Sequence, residues 1–225
     1  SNTKNLNMRN LTCLLVVFLS IVSCSKNDDG VEPTPIESMY FPSNTSTAWE
    51  TKSLSSLGWN QSGVQPLKDF LIQKNTKSFI ILVNGRIVME EYFNGHTATD
   101  TWEWNSAGKT LVATTTGIAQ QEGLLNINNK ASDYLGTEWT SMPLAKENLI
   151  TVRHLLTMTT GNDDTKQYVI KPNLTYVADA GTRWAYSNIF QKLTDVVADA
   201  SNKPFETYFN EKLKSKIGMD GSWNF

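Results

Sequence analysis

Residues 104–110 read Trp-Asn-Ser-Ala-Gly-Lys-Thr, and most of what the sequence predicts follows from this stretch. Ser106 and Lys109 are three residues apart, so at the start of a helix their side chains lie on one face and can meet. A serine hydroxyl is a weak nucleophile until a neighbouring base activates it, and a lysine amine can serve as that base. The positive end of the helix dipole also favours negative charge on the serine oxygen. The pair is therefore a candidate nucleophile with its activator.

The same stretch has two other interpretations. Ser106 could cap a helix while Lys109 extends into solvent, and the spacing alone does not exclude this. The second is a phosphate-binding loop, because Gly108 and the two residues after it match the end of such a loop. That loop needs a glycine five residues before Gly108, where the sequence has Glu103, whose carboxylate would repel phosphate. No apolar strand precedes the stretch either, so the phosphate-binding loop is excluded.

A second candidate segment covers residues 180–188, which read Ala-Gly-Thr-Arg-Trp-Ala-Tyr-Ser-Asn and precede a predicted helix. The phenol of Tyr186 would ionise more readily beside a lysine and could act as a base. The amide of Asn188 could hold both Lys109 and a substrate carbonyl. A buried core tyrosine followed by a helix-capping asparagine is an equally good interpretation of this segment taken alone.

The rest of the chain predicts a β-hairpin followed by helices. Two apolar, β-branched runs at 79–83 and 86–93 are joined by Asn84-Gly85, a dipeptide that favours a tight hairpin turn. The apolar periodicity and capping residues predict helices at 106–121, 151–158, 188–200 and 204–217. This order of elements indicates an α+β or α/β fold.

Several segments, in this order along the chain, resemble the serine β-lactamase-like hydrolases. This family includes class C β-lactamases, DD-peptidases, certain esterases and 6-aminohexanoate-dimer hydrolases. The resemblance runs from about residue 79 to 225. It rests on the hairpin, the Ser-x-x-Lys and Tyr-x-Asn motifs, and residues 151–161, which read Thr-Val-Arg-His-Leu-Leu-Thr-Met-Thr-Thr-Gly. Residues 123–127 with 134–135, and the turn at 217–219, match further family segments.

The resemblance implies a role for each matched residue. Ser106 would be the nucleophile that becomes acylated, and its backbone N–H would donate to the oxyanion. Lys109 would help remove the serine proton, with Tyr186 as the general base or its partner. Asn188 would orient the lysine and the substrate. The implied reaction is hydrolysis of an ester or amide through an acyl-enzyme. A DD-peptidase or penicillin-binding activity, and a non-catalytic surface lipoprotein that binds a ligand, are the alternatives.

Two departures from the family pattern modify these expectations. Many family members have a histidine at the position of Met158. Methionine is common there in the branch that resembles 6-aminohexanoate-dimer hydrolases. This residue therefore argues against an antibiotic-degrading β-lactamase. The family's third motif, a Lys- or His-x-Gly strand beside the site, is absent after Met219. We therefore expect an N-terminal hairpin and a helical subdomain of a β-lactamase/transpeptidase-like fold that lacks the C-terminal strands of its sheet. We also expect the 225-residue chain by itself to hydrolyse no ester.

The first 24 residues are predicted to be a lipoprotein signal peptide. Basic residues precede an apolar run at 11–22, which is too short to span a bilayer, since a spanning helix needs about 20 residues. Ile-Val-Ser before Cys24 resembles the lipobox of bacterial lipoproteins, in which that cysteine is acylated; an ordinary signal peptide is the alternative. Residues 25–42 read as a flexible tether, and 43–225 as the partial hydrolase domain. The expected location is the periplasm or cell surface, with a lipid anchor in the outer membrane.

The composition excludes some other classes of partner. The net charge of −2 and the scattered Lys and Arg residues provide no basic face for nucleic acid. Neither His96 nor His154 has other metal ligands at a suitable spacing, so we expect no metal and no cofactor. Three tryptophans near the motifs could wall a pocket for an apolar acyl group or pack in the core: Trp102, Trp104 and Trp184. The expected partners are a small ester, amide or peptide substrate and, through the lipid, a membrane.

Overall fold

The computed structural model describes residues 37–222. The chain divides into two units, residues 1–40 and 41–225. Residues 37–40, the described part of the first unit, have no regular secondary structure. The predicted signal peptide, Cys24 and most of the predicted tether lie outside the described residues. Among the residues that are described, no helix is both long and apolar enough to cross a membrane.

The second unit combines one hairpin with short helices, which confirms the predicted α+β class. Its strands are β1, Ser78–Val83, and β2, Arg86–Tyr92. The α-helices of the described residues are α1 Val64–Gln73, α2 Lys109–Gln121, α3 Ser132–Leu135, α4 Leu144–Glu147, α5 Val152–Leu156, α6 Lys192–Ser201 and α7 Phe205–Phe209. Shorter 3-10 turns cover Ser55–Leu57, Gln61–Gly63, Asn105–Gly108, Lys171–Asn173 and Asn188–Gln191, and a π-helical turn covers Asn210–Lys214.

The hairpin forms where the Asn-Gly dipeptide predicts it. Asn84 and Gly85 have φ angles of 49° and 81°, values that asparagine and glycine tolerate better than other residues. The strands pair antiparallel from Val83↔Arg86 to Ser78↔Tyr92, with an irregularity after Ile81. Alternate residues of β1 are half-buried, while Ile80 and Leu82 are about half exposed on the other face. The hairpin therefore has one packed face and one open face.

The core lies among the helices rather than under the hairpin. Helix α2 packs against α6, and α6 also contacts α3, α5 and α7. Fully buried side chains in this cluster include Val112, Leu155, Leu193 and Phe209. Each of them contributes about 1.5–3 kcal/mol by leaving water. The core therefore fixes the start of α2, where the Ser-x-x-Lys motif stands.

Helix α2 is rich in threonine, a residue that is a weak helix former. Thr115 and Thr116 are fully buried, and their hydroxyls donate to Leu111 O and Val112 O at 2.7 and 2.8 Å. These bonds to the preceding turn satisfy polar groups that would otherwise be costly to bury. A threonine-rich helix can therefore be part of the core.

The four predicted helices differ in extent from the observed ones. The one predicted at 106–121 begins as the 3-10 turn Asn105–Gly108 and becomes α-helical at Lys109. The helix predicted at 151–158 ends at Leu156, because Met158 takes a left-handed backbone conformation with φ of 55°. The one predicted at 188–200 begins as a 3-10 turn and becomes α-helical at Lys192. The one predicted at 204–217 is α-helical only to Phe209 and continues as the π-helical turn.

Candidate active site

The nucleophile segment, residues 104–110, lies at the start of α2. A 3-10 turn, Asn105–Gly108, leads directly into the helix and places Ser106 one turn before the lysine. The Lys109 ammonium donates to Ser106 Oγ at 3.2 Å. The interpretation of Lys109 as a purely solvated charge is therefore wrong, because its ammonium is hydrogen-bonded to the serine. Asn105 has a φ of 46°, so the residue just before the serine holds a left-handed conformation.

Tyr186 meets this pair from a distant part of the chain. Its hydroxyl lies 2.6 Å from Ser106 Oγ, across 80 residues of sequence. The Lys109 ammonium lies 5.2 Å from the centre of the phenol ring. Hydrogen bonds with Ser106 and then with Lys109 lower the pKa of Tyr186, because both stabilise the phenolate. The side chain is 49% exposed, so the interpretation of Tyr186 as a buried core residue is wrong.

The base segment, residues 176–188, is held by backbone hydrogen bonds to the turn that follows α5. Ala185 N donates to Met158 O at 3.1 Å, and Gly181 N donates to Thr159 O at 2.7 Å. Val177 N and Ala178 N both donate to Gly161 O. These bonds set the path of the segment immediately before Tyr186.

Glycine is required at position 161, where the turn that follows α5 touches the base segment. Its φ is 77°, and a Cβ placed on it would lie 2.0 Å from the carbonyl oxygen of Ala178. Glycine is the residue that adopts such a conformation without steric cost and leaves room for a neighbouring backbone. A side chain at Gly161 would therefore displace the base segment.

Asn188 does not occupy its predicted place. Its amide donates to Gln167 O at 3.0 Å, and the hydrogen bonds of the described residues include none from Asn188 to Lys109. It is not the cap of the following turn either, since Ser187 Oγ accepts from Ile189 N at 3.3 Å. The structure thus joins Ser106, Lys109 and Tyr186, and ties Asn188 to the loop that contains Gln167.

Sequence reasoning missed a polar anchor for the base segment. The Lys146 ammonium donates to Asp179 Oδ1 at 2.6 Å, and the Tyr176 hydroxyl donates to the same oxygen at 2.9 Å. The hydrogen bond from Lys146, followed by the one from Tyr176, lowers the pKa of Asp179, and the bond to Asp179 raises the pKa of Lys146. Nothing in the local sequence pairs residues 33 positions apart, so only the fold reveals this contact.

The three tryptophans near the motifs are surface residues. Trp102, Trp104 and Trp184 are 63%, 54% and 67% exposed, which rules out core packing for all three. The Trp102 and His96 rings meet in a T-shaped arrangement with their centroids 5.9 Å apart, and the Lys77 ammonium lies 5.2 Å from the centre of the indole. The indoles nearest in sequence to Ser106 and Tyr186 are therefore accessible to a ligand.

The described residues contain no group of three or more His, Cys, Asp and Glu side chains that could hold a metal ion. The arrangement that they do contain is a hydroxyl in contact with an ammonium and a phenol. Proton transfer from Ser106 needs no large movement of either neighbour, because both already lie within hydrogen-bond distance of its oxygen. This geometry supports attack by the serine oxygen on an electrophilic carbonyl.

The sequence model of the Beta-lactamase family matches residues 71–224. No curated protein sequence matches the chain significantly. Solved structures with a similar fold include a Bacillus anthracis protein assigned as a 6-aminohexanoate-dimer hydrolase, with a TM-score of 0.61 and 18% identity over 81% of this chain and 56% of that one. A Bacteroides dorei protein assigned as a β-lactamase has a TM-score of 0.59 and 18% identity over 71% of this chain and 52% of that one.

A class C β-lactamase variant is also similar, with a TM-score of 0.55 and 23% identity over 68% of this chain and 48% of that one. These likenesses confirm the predicted β-lactamase/transpeptidase-like fold. The chain spans about half the length of the solved structures that it resembles.

Proposed function

This chain belongs to the β-lactamase family, and on that premise we propose that the whole protein forms an acyl-enzyme on Ser106 and hydrolyses an ester or amide. The observation that carries the proposal is the position of Ser106 Oγ, which lies 2.6 Å from the Tyr186 hydroxyl and 3.2 Å from the Lys109 ammonium. Members of the family are hydrolases, and this cluster provides a nucleophile, a base and a fixed positive charge.

The first half of the reaction is acylation. The phenolate of Tyr186 takes the proton of the Ser106 hydroxyl as the serine oxygen bonds to the substrate carbonyl carbon. The carbonyl oxygen becomes an oxyanion, which the backbone N–H of Ser106 would stabilise. The tetrahedral intermediate then collapses, the bond to the leaving alkoxide or amine breaks, and that group takes the proton from Tyr186. Lys109 stabilises the phenolate throughout by its positive charge.

The second half is deacylation. Water gives a proton to Tyr186 while its oxygen bonds to the acyl carbon, and the ester bond to Ser106 breaks. The proton returns to the serine oxygen, and a carboxylic acid leaves. The exposed indoles of Trp104 and Trp184 stand beside the two motifs and support an acyl group with apolar surface.

Labelling of the full-length protein with a fluorophosphonate probe tests this proposal. We expect covalent modification of Ser106, found by peptide mass spectrometry, and its loss in Ser106→Ala. Ser62→Ala, which removes an exposed hydroxyl from the turn Gln61–Gly63, is the matched control and should label like the unaltered protein. The absence of labelling in a folded protein that still binds a peptidoglycan peptide would instead favour the ligand-binding lipoprotein.

A penicillin-type probe separates the two enzymatic alternatives. A stable penicilloyl adduct on Ser106 with little turnover favours a DD-peptidase or penicillin-binding activity. Labelling by the fluorophosphonate together with turnover of simple esters favours the hydrolase. The Ser106→Ala variant should abolish both signals, because both reactions need the same nucleophile.

We also propose that the protein is exported and anchored to the outer membrane by a lipid on Cys24. The support is the apolar run at 11–22 and the Ile-Val-Ser-Cys sequence that ends it. Metabolic labelling with an alkynyl fatty acid should modify the protein. Cys24→Ala should remove this label while Cys13→Ala, in the predicted signal peptide, retains it; equal labelling of both variants would contradict the anchor.

A further inference from the structure

A buried polar network joins the base segment to the turn that follows α5. Its three side chains, Thr160, Asn162 and Ser187, are 2%, 4% and 5% exposed. The Thr160 hydroxyl donates to Asn162 Oδ1 at 2.6 Å, and Asn162 Nδ2 donates to Ser187 Oγ at 3.1 Å. Buried polar groups are costly unless they are satisfied, and a satisfied network restricts its members to one arrangement.

Ser187 connects this network to the site. It stands between Tyr186 and Asn188, so the peptide groups on either side of it carry both motif residues. Its hydroxyl oxygen accepts from Ile189 N at 3.3 Å and so begins the 3-10 turn Asn188–Gln191. An atom that accepts both from this turn and from Asn162 fixes where the turn begins.

The Asn162 side chain fits this position as a carboxamide. Its oxygen accepts from Thr160, and its two N–H groups donate to Asp163 O at 3.0 Å and to Ser187 Oγ. A carboxylate of the same shape offers no donor, so it would face the Asp163 carbonyl with an unpaired negative charge. The backbone at Asn162 is itself held, because it forms an isolated antiparallel bridge with Tyr176.

We propose that Asn162 is a positioning residue that sets the place of Tyr186 against Ser106 through its hydrogen bond to Ser187. This role rests on the proposed function, in which Tyr186 is the base. Tyr186 is about half exposed and is not buried in the core, so its place depends on the backbone that carries it. That backbone is held on one side by Met158 O through Ala185 N and on the other by Asn162 through Ser187.

The ionisation of Tyr186 provides a direct readout. Contact with Ser106 and Lys109 lowers the pKa of this phenol, so a displaced phenol ionises at higher pH. Tyrosinate absorbance is recorded against pH for the unaltered protein and for Tyr186→Phe, and the difference isolates this residue. In Asn162→Asp we expect the transition of Tyr186 to move to higher pH. We also expect fluorophosphonate labelling to slow between about tenfold and a hundredfold, as for a misplaced catalytic group.

A matched pair of threonine variants separates positioning from a general loss of stability. Thr160→Val removes the hydroxyl that orients Asn162, and Thr140→Val removes a hydroxyl of equal burial that bonds to Glu147 instead. We expect Thr160→Val to shift the Tyr186 transition in the same direction as Asn162→Asp, and Thr140→Val to leave it unchanged. If Asn162→Asp does not fold, the threonine pair decides the question.

The proposal is overturned if the folded Asn162 and Thr160 variants ionise Tyr186 and label Ser106 as the unaltered protein does. It is also overturned if Thr140→Val shifts the transition as much as Thr160→Val. If Ser106 of the unaltered protein is not labelled at all, the proposed function fails. The titration still decides whether Asn162 positions Tyr186, because tyrosinate absorbance needs no reaction.

Discussion

The nucleophile segment and the base segment meet at one oxygen atom but are held in different ways. Residues 104–110 depend on their own helix, since a 3-10 turn at the start of α2 places Ser106 and Lys109 on one face. Residues 176–188 contain no helix before Asn188, and distant residues hold them through hydrogen bonds: residues 158–162, Lys146 and Gln167. The nucleophile segment is therefore stabilised by local contacts, and the base segment by contacts with distant parts of the chain.

This difference identifies the vulnerable half of the site. A helix start keeps its geometry as long as the helix remains, because its contacts lie three or four residues apart. The base segment loses its geometry when any of several distant partners moves. Changes in the turn at 158–162 should therefore affect Tyr186 while they leave the contact between Ser106 and Lys109 intact.

The largest effect should come from removing the bond that joins the two segments. Tyr186→Phe deletes the hydroxyl at 2.6 Å from Ser106 Oγ and keeps the ring. Because general-base catalysis contributes about 10²- to 10⁴-fold, we expect labelling of Ser106 by a fluorophosphonate to slow by about that factor. In the unaltered protein labelling should accelerate as pH rises through the lowered pKa of Tyr186, and the variant should lose that rise.

Tyr168→Phe is the matched control for this variant. It removes a phenol oxygen from a side chain that is 75% exposed, and it should leave both the rate and the pH profile unchanged. Labelling of Tyr186→Phe at the unaltered rate would mean that Lys109 alone deprotonates Ser106 and that the base segment does not take part in the reaction.

A smaller effect, on the stability of the whole fold, should follow from Gly161→Ala. Its Cβ would lie 2.0 Å from Ala178 O, so the base segment must move. A left-handed conformation alone costs an alanine about 1–2 kcal/mol, and with the overlap we expect a loss of about 3 kcal/mol or more. Urea unfolding provides the free energy of unfolding for this comparison.

Gly123→Ala is the control, because Gly123 has a similar φ of 74° but no atom within 4 Å of a Cβ. Its free energy of unfolding should fall only by the cost of the left-handed conformation, about 1–2 kcal/mol. An equal decrease in the free energy of unfolding for Gly123→Ala and Gly161→Ala would show that the base segment moves away from the added Cβ at little cost.

The smallest effect concerns the nucleophile segment itself. Asn105 has a φ of 46°, which asparagine and glycine adopt more readily than alanine. Asn105→Ala should therefore lower the free energy of unfolding by about 1 kcal/mol, and Asn105→Gly should not. A thermal unfolding series measures both. A much larger loss for the alanine variant would mean that the nucleophile segment also depends on contacts outside its own helix.

Much of the fold was predictable because its signals are short-range. Asn84-Gly85 predicts its own turn, since both residues tolerate the positive φ that they adopt. Thr151 predicts the start of α5, and its side chain does accept from His154 N. The end of α5 was placed two residues late, because the left-handed Met158 is stabilised by a distant bond to Ala185.

The site was predictable in part, and its two motifs differ in this respect. The spacing made Ser106 and Lys109 a candidate pair, the resemblance supported it, and the two side chains are hydrogen-bonded. Asn188 was assigned to Lys109 but bonds to Gln167 O, a partner 21 residues away. The capping role considered for Asn188 belongs to Ser187, since Ser187 is the extended residue before the turn and Asn188 is the first residue inside it.

The amino-acid sequence by itself determined the hairpin turn and the spacing that lets Ser106 meet Lys109. The physical reason is that backbone torsion preferences and contacts three residues apart need no other part of the chain. Only the tertiary structure decided that Tyr186 reaches Ser106 across 80 residues. Only the tertiary structure also decided that Asn162 lies against Ser187, since both contacts depend on the packing of α2, α5 and α6 around one core.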